Sequence, residues 1–163
     1  MNTLQKRIIS LPDAYFTDGN ISIRPIRDDY DIWYATVECT LFPHQKENVN
    51  PAGFSLGRAF LYPENYLPCI IWKENTRIGF ILLFRWSNGC ANGWSYYLDQ
   101  NYQGQGYGKT AARLAINILK SAEPTMPIKI SVEQANKKAQ LLYRSIGMQE
   151  KGEMDGDDLV FEF

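Results

Sequence analysis

The sequence predicts a single mixed α/β domain, with one central sheet of about six to seven strands flanked by about four helices. Three observations carry that reading. Trp94 to Asp99 is aromatic and β-prone, and it runs into the glycine-rich stretch Asn101-Tyr-Gln-Gly-Gln-Gly-Tyr-Gly-Lys-Thr110. Behind the glycines, Tyr107, Ala111, Leu114, Ala115, Ile118 and Leu119 recur at helical spacing. Pro124 and Pro127 then stop the helix and set up Ile128-Lys-Ile-Ser-Val132 as another strand. Strand, crossover helix and strand make a βαβ unit, so the two strands are expected to pair in parallel with a right-handed crossover. A chain of 163 residues is long enough for one domain that buries about two-thirds of its unfolded surface.

The remaining elements follow in order. Residues 1–19 are weakly patterned, with Asp18-Gly19 marking a turn, and read as a loosely attached arm ahead of a domain spanning 20–163. Ile21-Ser-Ile-Arg-Pro-Ile26 alternates as a strand, and Pro25 places it at an edge or marks its end. Asp28 and Asp29 offer cap chemistry for a helix carrying Tyr30, Trp33, Tyr34, Val37 and Leu41 on one face, which Phe42-Pro43 ends. Residues 44–66 are the least regular, with a short helix over Ser55 to Leu61. So long a connection inside a compact domain points to a functional wall, here of a substrate cleft.

Cys69-Ile-Ile-Trp72 and Arg77-Ile-Gly-Phe-Ile-Leu-Leu-Phe84 read as a hairpin turning at Glu74-Asn75. Ser87-Asn-Gly89 through Asn92-Gly93 reads as the next turn. After the later strand, Asn136 begins a helix carrying Ala139, Leu142, Tyr143 and Ile146, and Gly147 suits its C-terminal left-handed position. Asp155-Gly156 marks a final hairpin.

The glycine stretch carries the chemistry. Gly104, Gly106 and Gly108 let backbone N–H groups converge and let a ligand come close. The helix that follows adds unpaired N–H groups and a partial positive charge, which makes an anion site, most often for phosphate. A nucleotide P-loop would need glycine where Gln103 stands, and a dinucleotide fingerprint would need it where Lys109 stands. The pattern present is Gln-x-x-Gly-x-Gly, as Gln103-Gly-Gln-Gly106-Tyr-Gly108.

Composition narrows the function classes. A net charge near −1 implies no general nucleic-acid surface. No apolar run reaches the ~18 residues a membrane helix needs, and the N-terminus does not read as a secretory signal. Cys39, Cys69 and Cys90 match neither a disulfide framework nor a zinc pattern, so no metal is expected and a reducing cytoplasm is the simplest setting.

Two stretches together resemble the GNAT superfamily of acetyl-CoA-dependent N-acetyltransferases. One is Gln103 to Gly108, which is similar to that family's pyrophosphate loop. The other is Asn136-Lys-Lys-Ala139-Gln-Leu-Leu142-Tyr143-Arg-Ser-Ile-Gly147-Met148, which resembles Asn-x-x-Ala-x-x-Leu-Tyr-x-x-x-Gly-Phe with Met148 in place of Phe. The resemblance covers roughly residues 20–163 in element order, and specific residues from about Trp94 onward. It implies a GNAT-like fold and acetyl-CoA or CoA as cofactor. It also implies roles: backbone N–H groups of Gln103, Gly104, Gln105, Gly106, Tyr107 and Gly108 hold the pyrophosphate, with Lys109 or Thr110 nearby. The strand through Tyr97 and Leu98 pairs with pantetheine, Asn136 contacts the cofactor, and Tyr143 protonates the departing thiolate. Acyl transfer to an amine does require oxyanion stabilisation and an acid near the leaving sulfur.

Many relatives carry Glu or His in the strand before the loop, whereas Asn92-Gly-Trp94-Ser-Tyr96-Tyr97 has neither. Asp99, Glu133, the cleft carboxylates Glu38, Glu47 and Glu64, and a water relay are the alternatives for the base. Asp99 reads better as a turn or cap, and His44 better as a loop residue. Trp94 to Asp99, the Gln45 to Phe60 stretch and the final hairpin look like those of bacterial diamine and spermidine acetyltransferases. That resemblance implies a small-molecule amine acceptor. Glu38, Glu47, Glu64 and Trp94 are the expected binding groups, since carboxylates and aromatic faces suit a flexible cation. A protein N-terminus, a drug amine or non-catalytic acyl-CoA binding are the competing readings, and a homodimer stays open.

Overall fold

The computed structural model describes residues 3–163. It contains two antiparallel sheets rather than one continuous sheet. The first holds β1 (Thr17–Asp18), β2 (Ile21–Pro25), β3 (Tyr66–Lys73), β4 (Thr76–Arg85) and β5 (Asn92–Leu98) in chain order. The second holds β6 (Lys129–Val132), β7 (Gln149–Asp155) and β8 (Asp158–Glu162), with β8 in the middle. The helices are α1 (Leu4–Ile9), α2 (Asp29–Trp33), α3 (Ala52–Leu61), α4 (Tyr107–Ala122) and α5 (Lys137–Ser145).

The expected parallel pair is reduced to a single bridge, Asn92 to Ile128. Asn92 N–H donates to the Pro127 carbonyl at 2.9 Å, and the Trp86 indole N–H donates to the Lys129 carbonyl at 2.9 Å. Asn92 and Gly93 therefore start β5, and the reading of these residues as a turn is corrected. Gly93 is what permits the contact: a Cβ there would lie 2.3 Å from the Lys129 carbonyl oxygen. Beyond it β5 and β6 part company, and each continues in its own sheet.

The first sheet is covered on both faces, which explains the nearly unbroken apolar run of β4. Cys69, Ile71, Ile81 and Leu83 face α1 and α4, where Ala111, Leu114, Ala115 and Ile118 form the buried stripe of α4. Ile70, Trp72, Phe80 and Leu82 alternate with them and face Tyr34, Ala35 and Ala52 on the other side. The α4 stripe is the one its spacing predicts.

Two expectations are corrected. Residues 3–19 are not a loose arm. Thr3 caps α1, and Leu4 and Ile8 are buried in the main core against α4, while β1 pairs with β2. Two buried residues four apart are too few to show a period in sequence. The helix after Asp28 is also shorter and differently faced. Asp28 does cap it, accepting from Asp31 N–H at 2.9 Å. The chain then widens into a π turn over Tyr34–Glu38. That turn keeps Tyr34 and Ala35 inside and leaves Tyr30, Trp33 and Val37 exposed.

A buried ionic group secures the closed end of the splay. Asn92 donates to the Glu123 carboxylate at 2.8 Å and accepts from Arg85 Nε at 3.1 Å. Arg85 pairs directly with Glu123, and Arg7 approaches Glu123 at 3.5 Å. Burial opposes ionisation of Glu123, but hydrogen bonds from Arg85 and Asn92 outweigh it and hold the carboxyl below its usual value. A depressed carboxyl contributes stability above its ordinary pKa and loses it as pH falls. Glu123→Gln should therefore cost about 1–3 kcal/mol at neutral pH. Its deficit against wild type should shrink on acidification below the ordinary value of 4.5. Denaturant melts at several pH values measure both.

Candidate active site

The glycine loop forms where β5 ends. Asp99 closes the strand and caps a short 3-10 turn, Gln100–Tyr102, by accepting from Asn101 N–H at 2.9 Å. Gly104 and Gly106 then take φ +75° and +86°, left-handed values that favour glycine. A Cβ on either would meet nothing within 4 Å, so the face of the loop is open. Gly106 is also the N-cap of α4, a helix of 16 residues whose first N–H groups have no intrahelical acceptor. Tyr96 pins that first turn to β5, its hydroxyl donating to the Gly108 carbonyl at 3.0 Å. The result is a concave set of N–H donors at the positive end of a helix, suited to a phosphate chain.

A cavity of about 400 Å³ opens from this loop along the splay between β5 and β6. Most of the residues expected to bind cofactor line it. Gln103, Gly104, Gly106, Gly108 and Lys109 come from the loop and helix start, and Tyr97 and Leu98 come from β5, where Trp94, expected on the substrate side, lines it too. Asn136 and Tyr143 come from α5. Gln105, Tyr107 and Thr110 do not line it. The Gln105 side chain is exposed and donates to the Asn101 carbonyl, Tyr107 lies under Lys73 Nζ at 5.3 Å, and Thr110 Oγ1 donates back to Gly106. The β5 edge facing the cavity has one described strand contact, the Asn92 bridge. An extended chain with amide groups could therefore add to it as a strand would.

Local rules position α5. Asn136 caps it, accepting from Ala139 N–H at 3.2 Å. Gly147 at φ +94° ends it, and Met148 N–H returns to the Tyr143 carbonyl at 3.0 Å. Tyr143 packs edge-on against Trp94, with ring centroids 6.1 Å apart, and against Phe161 at the same distance. Burial raises the pKa of the Tyr143 phenol, so it stays a neutral O–H donor at physiological pH. Burial likewise raises Tyr96 and Tyr97.

Asp99 is not free to act as a base. Its carboxylate also accepts from Thr40 N–H at 2.9 Å and Thr40 Oγ1 at 3.3 Å. His44 is exposed and stacks on Phe42 at 5.9 Å.

A second cavity of about 460 Å³ adjoins the first, and Asn48, Val49, Trp94, Ser95, Ser131, Glu133 and Asp158 line both. It carries four carboxylates, Glu47, Glu133, Asp155 and Asp158, against one guanidinium, Arg58. Tyr66, Phe84 and Trp86 add aromatic faces. Glu38 and Glu64, expected here, line neither cavity: both are exposed, one at the end of the π turn and the other in the α3–β3 connection. Asp155 and Asp158 were not foreseen. They are cross-strand partners in the β7–β8 hairpin, and Ser131 Oγ donates to Asp155 at 2.9 Å. The Asp-Gly-Asp-Asp turn was visible in sequence, but its fold-back onto β6 was not.

The profile of the Acetyltransferase (GNAT) family matches residues 26–148, more than half of the chain. The chain belongs to the GNAT family. No curated protein gives a significant sequence match. Solved structures share the fold at low identity. AAC(6')-Ib in complex with Parmomycin and AcetylCoA is 16% identical with a TM-score of 0.70, covering 88% of this chain and 92% of that one. The ribosomal-protein-S5-alanine acetyltransferase from Vibrio fischeri is 16% identical with a TM-score of 0.66, covering 91% and 94%. An acetyltransferase from Agrobacterium tumefaciens str. C58 is 17% identical with a TM-score of 0.66, covering 88% and 90%.

This GNAT chain is an acetyl-CoA-dependent N-acetyltransferase that moves an acetyl group to an amine. Its residues fit the cofactor on structural grounds: an open left-handed glycine loop, a helix N-terminus and an unpaired strand edge meet in one cavity. Gly106→Val places a branched side chain at φ +86° and fills the open face. It should weaken CoA binding at least about tenfold in calorimetry while the far-ultraviolet circular dichroism stays unchanged.

Proposed function

We propose that the acceptor is a small polycationic amine, a diamine or spermidine, bound in the second cavity. The observation that carries this reading is the excess of carboxylates there, four against one guanidinium, beside aromatic walls. An ammonium group is attracted by the carboxylates, and its methylenes lie against Tyr66, Phe84 and Trp94. Glu47 and Trp94 keep the substrate-binding role proposed from sequence, and Asp155 and Asp158 join them. The three free cysteines, buried Cys69, half-buried Cys39 and exposed Cys90, go with a cytoplasmic setting. Homodimer formation is proposed on the exposed apolar side chains Trp33, Phe60 and Leu61.

Bound acetyl-CoA supplies the acetyl group as a thioester. The chain's own groups divide the remaining work. The open β5 edge orients the cofactor arm and offers backbone N–H donors where negative charge develops on oxygen. Glu133 lines both cavities and is half-buried, so we assign its carboxylate the proton of the attacking amine, directly or through one water. Tyr143 Oη holds a proton beside Trp94 and presents it to a departing thiolate.

Tyr143→Phe should lower kcat ~10²–10⁴-fold while CoA affinity stays nearly unchanged, and Glu133→Gln should lower kcat ~10²–10⁴-fold with acetyl-CoA binding intact. Stopped-flow thiol release and calorimetry on each variant check this; full activity in Tyr143→Phe would leave Tyr143 a packing residue.

A panel of primary amines, drug amines and peptide N-termini tests the acceptor. Spermidine or a diamine should give the highest kcat/KM, with KM rising with ionic strength because exposed carboxylates are screened. Asp158→Asn and Glu47→Gln should each raise KM more than they lower kcat. A peptide or aminoglycoside with far higher kcat/KM would overturn the polyamine assignment.

A further inference from the structure

Two glutamine side chains join the cofactor loop to the wall of the second cavity. Gln103 Nε2 donates to Gln45 Oε1 at 2.9 Å, and Gln45 Nε2 donates to Gln103 Oε1 at 2.8 Å. Gln103 Nε2 also donates to the Leu98 carbonyl at 3.0 Å, at the end of β5. That third bond sets the orientation of the pair, because a carbonyl oxygen only accepts. Both N–H groups of Gln103 are thus used, and the amides face each other as a closed two-bond ring.

Gln45 lies in a 3-10 turn, Pro43–Asn48. The residues that follow it, Glu47, Asn48, Val49 and Asn50, form one wall of the second cavity, and Asn48 and Val49 line the first as well. Upstream, the segment is tied at Thr40, which is gripped by Asp99 and whose carbonyl accepts from Gln100 N–H at 2.7 Å. Among the described residues, no other side-chain hydrogen bond or ion pair fastens residues 43–51 to the rest of the chain. The Gln45 amide is therefore the last anchor before the wall, and its partner belongs to the loop that receives the phosphates.

We propose that Gln45 is a positioning residue that transmits the state of the cofactor loop to the acceptor wall. A phosphate chain on the N–H groups of Gln103 to Gly108 restricts the loop, holds the Gln103 amide in register with Leu98, and thereby closes the pair with Gln45. Residues 43–50 then settle into the position that presents Glu47 and Asn48 to the amine. Binding of cofactor and of acceptor becomes mutually favourable, with the same factor in both directions. The acceptor part of this inference rests on the reading of the second cavity as the amine site, while the coupling between loop and segment does not.

Hydrogen exchange with CoA as the probe tests the coupling without any acceptor. In the wild type, saturating CoA should slow exchange of backbone amides in residues 43–50 roughly fivefold to tenfold. Gln45 also lines the cofactor cavity, so Gln45→Ala is compared at CoA concentrations that calorimetry shows to saturate it; there the slowing should vanish. Gln45→Glu keeps the acceptor for Gln103 Nε2 and loses the donor, so it should retain part of the protection. With the best amine from the panel, Gln45→Ala should raise KM by roughly tenfold and change kcat less. Equal CoA-dependent protection in wild type and Gln45→Ala would overturn the proposal, since direct contact with CoA would then account for the ordering. Lost protection together with an unchanged KM would uphold the coupling and instead count against the second cavity as the amine site.

Discussion

The site depends on one close approach between two backbones. At Gly93 the chain passes so near the Lys129 carbonyl that no side chain fits, and there β5 and β6 make their one bridge. Pinned at this end and separate beyond it, the strands leave a wedge with an unpaired strand edge on one side. A continuous sheet would have filled that edge with β6 and abolished the cavity, while loss of the contact would let the second sheet drift away from the first. The buried group of Asn92, Arg85 and Glu123 sits at the same end and resists either outcome by satisfying every charge it encloses.

Within the wedge, electrostatics are graded from one end to the other. The α4 N-terminus and its loop form the positive end, suited to a phosphate chain. The middle is lined with Tyr96, Tyr97 and Tyr143, whose phenols burial keeps neutral, so they add no charge there. The far end is acidic, through Glu47, Glu133, Asp155 and Asp158. An anionic cofactor and a cationic acceptor would thus enter from opposite ends and meet beside Trp94, which lines both cavities. Glu133 and Asp158 are the carboxylates at that meeting point.

The irregular segment between α2 and α3 is where the two ends communicate. It is held by a buried carboxylate at Thr40 and by the amide pair at Gln45. Both anchors come from residues next to the glycine loop, Asp99 and Gln103. Asp99 is thereby engaged in structure, accepting from Thr40 and from Asn101 N–H.

Local chemistry was legible in the sequence. Glycine alternation, an α4 stripe of period 3.6, the Asn136 cap and the Gly147 stop each act within a few residues, and all appear where the spacing places them. The two signatures together pointed to the family. What depended on distant pairing was not legible. Nothing near Gly93 says that Lys129 will lie against it, so one sheet was expected where two exist. α1 offers only Leu4 and Ile8 to the core, too few to reveal a period. Glu38, Glu47 and Glu64 looked alike in sequence, yet of the three Glu47 alone lines the second cavity, while Asp155 and Asp158 arrive there through a hairpin folded back on β6. The chain by itself determined the left-handed glycine loop, the capped helix that carries Tyr143 and the family, because backbone conformation and helix caps are short-range. Tertiary structure alone decided which carboxylates line the second cavity, because a charged side chain takes its surroundings from whatever distant strand is packed beside it.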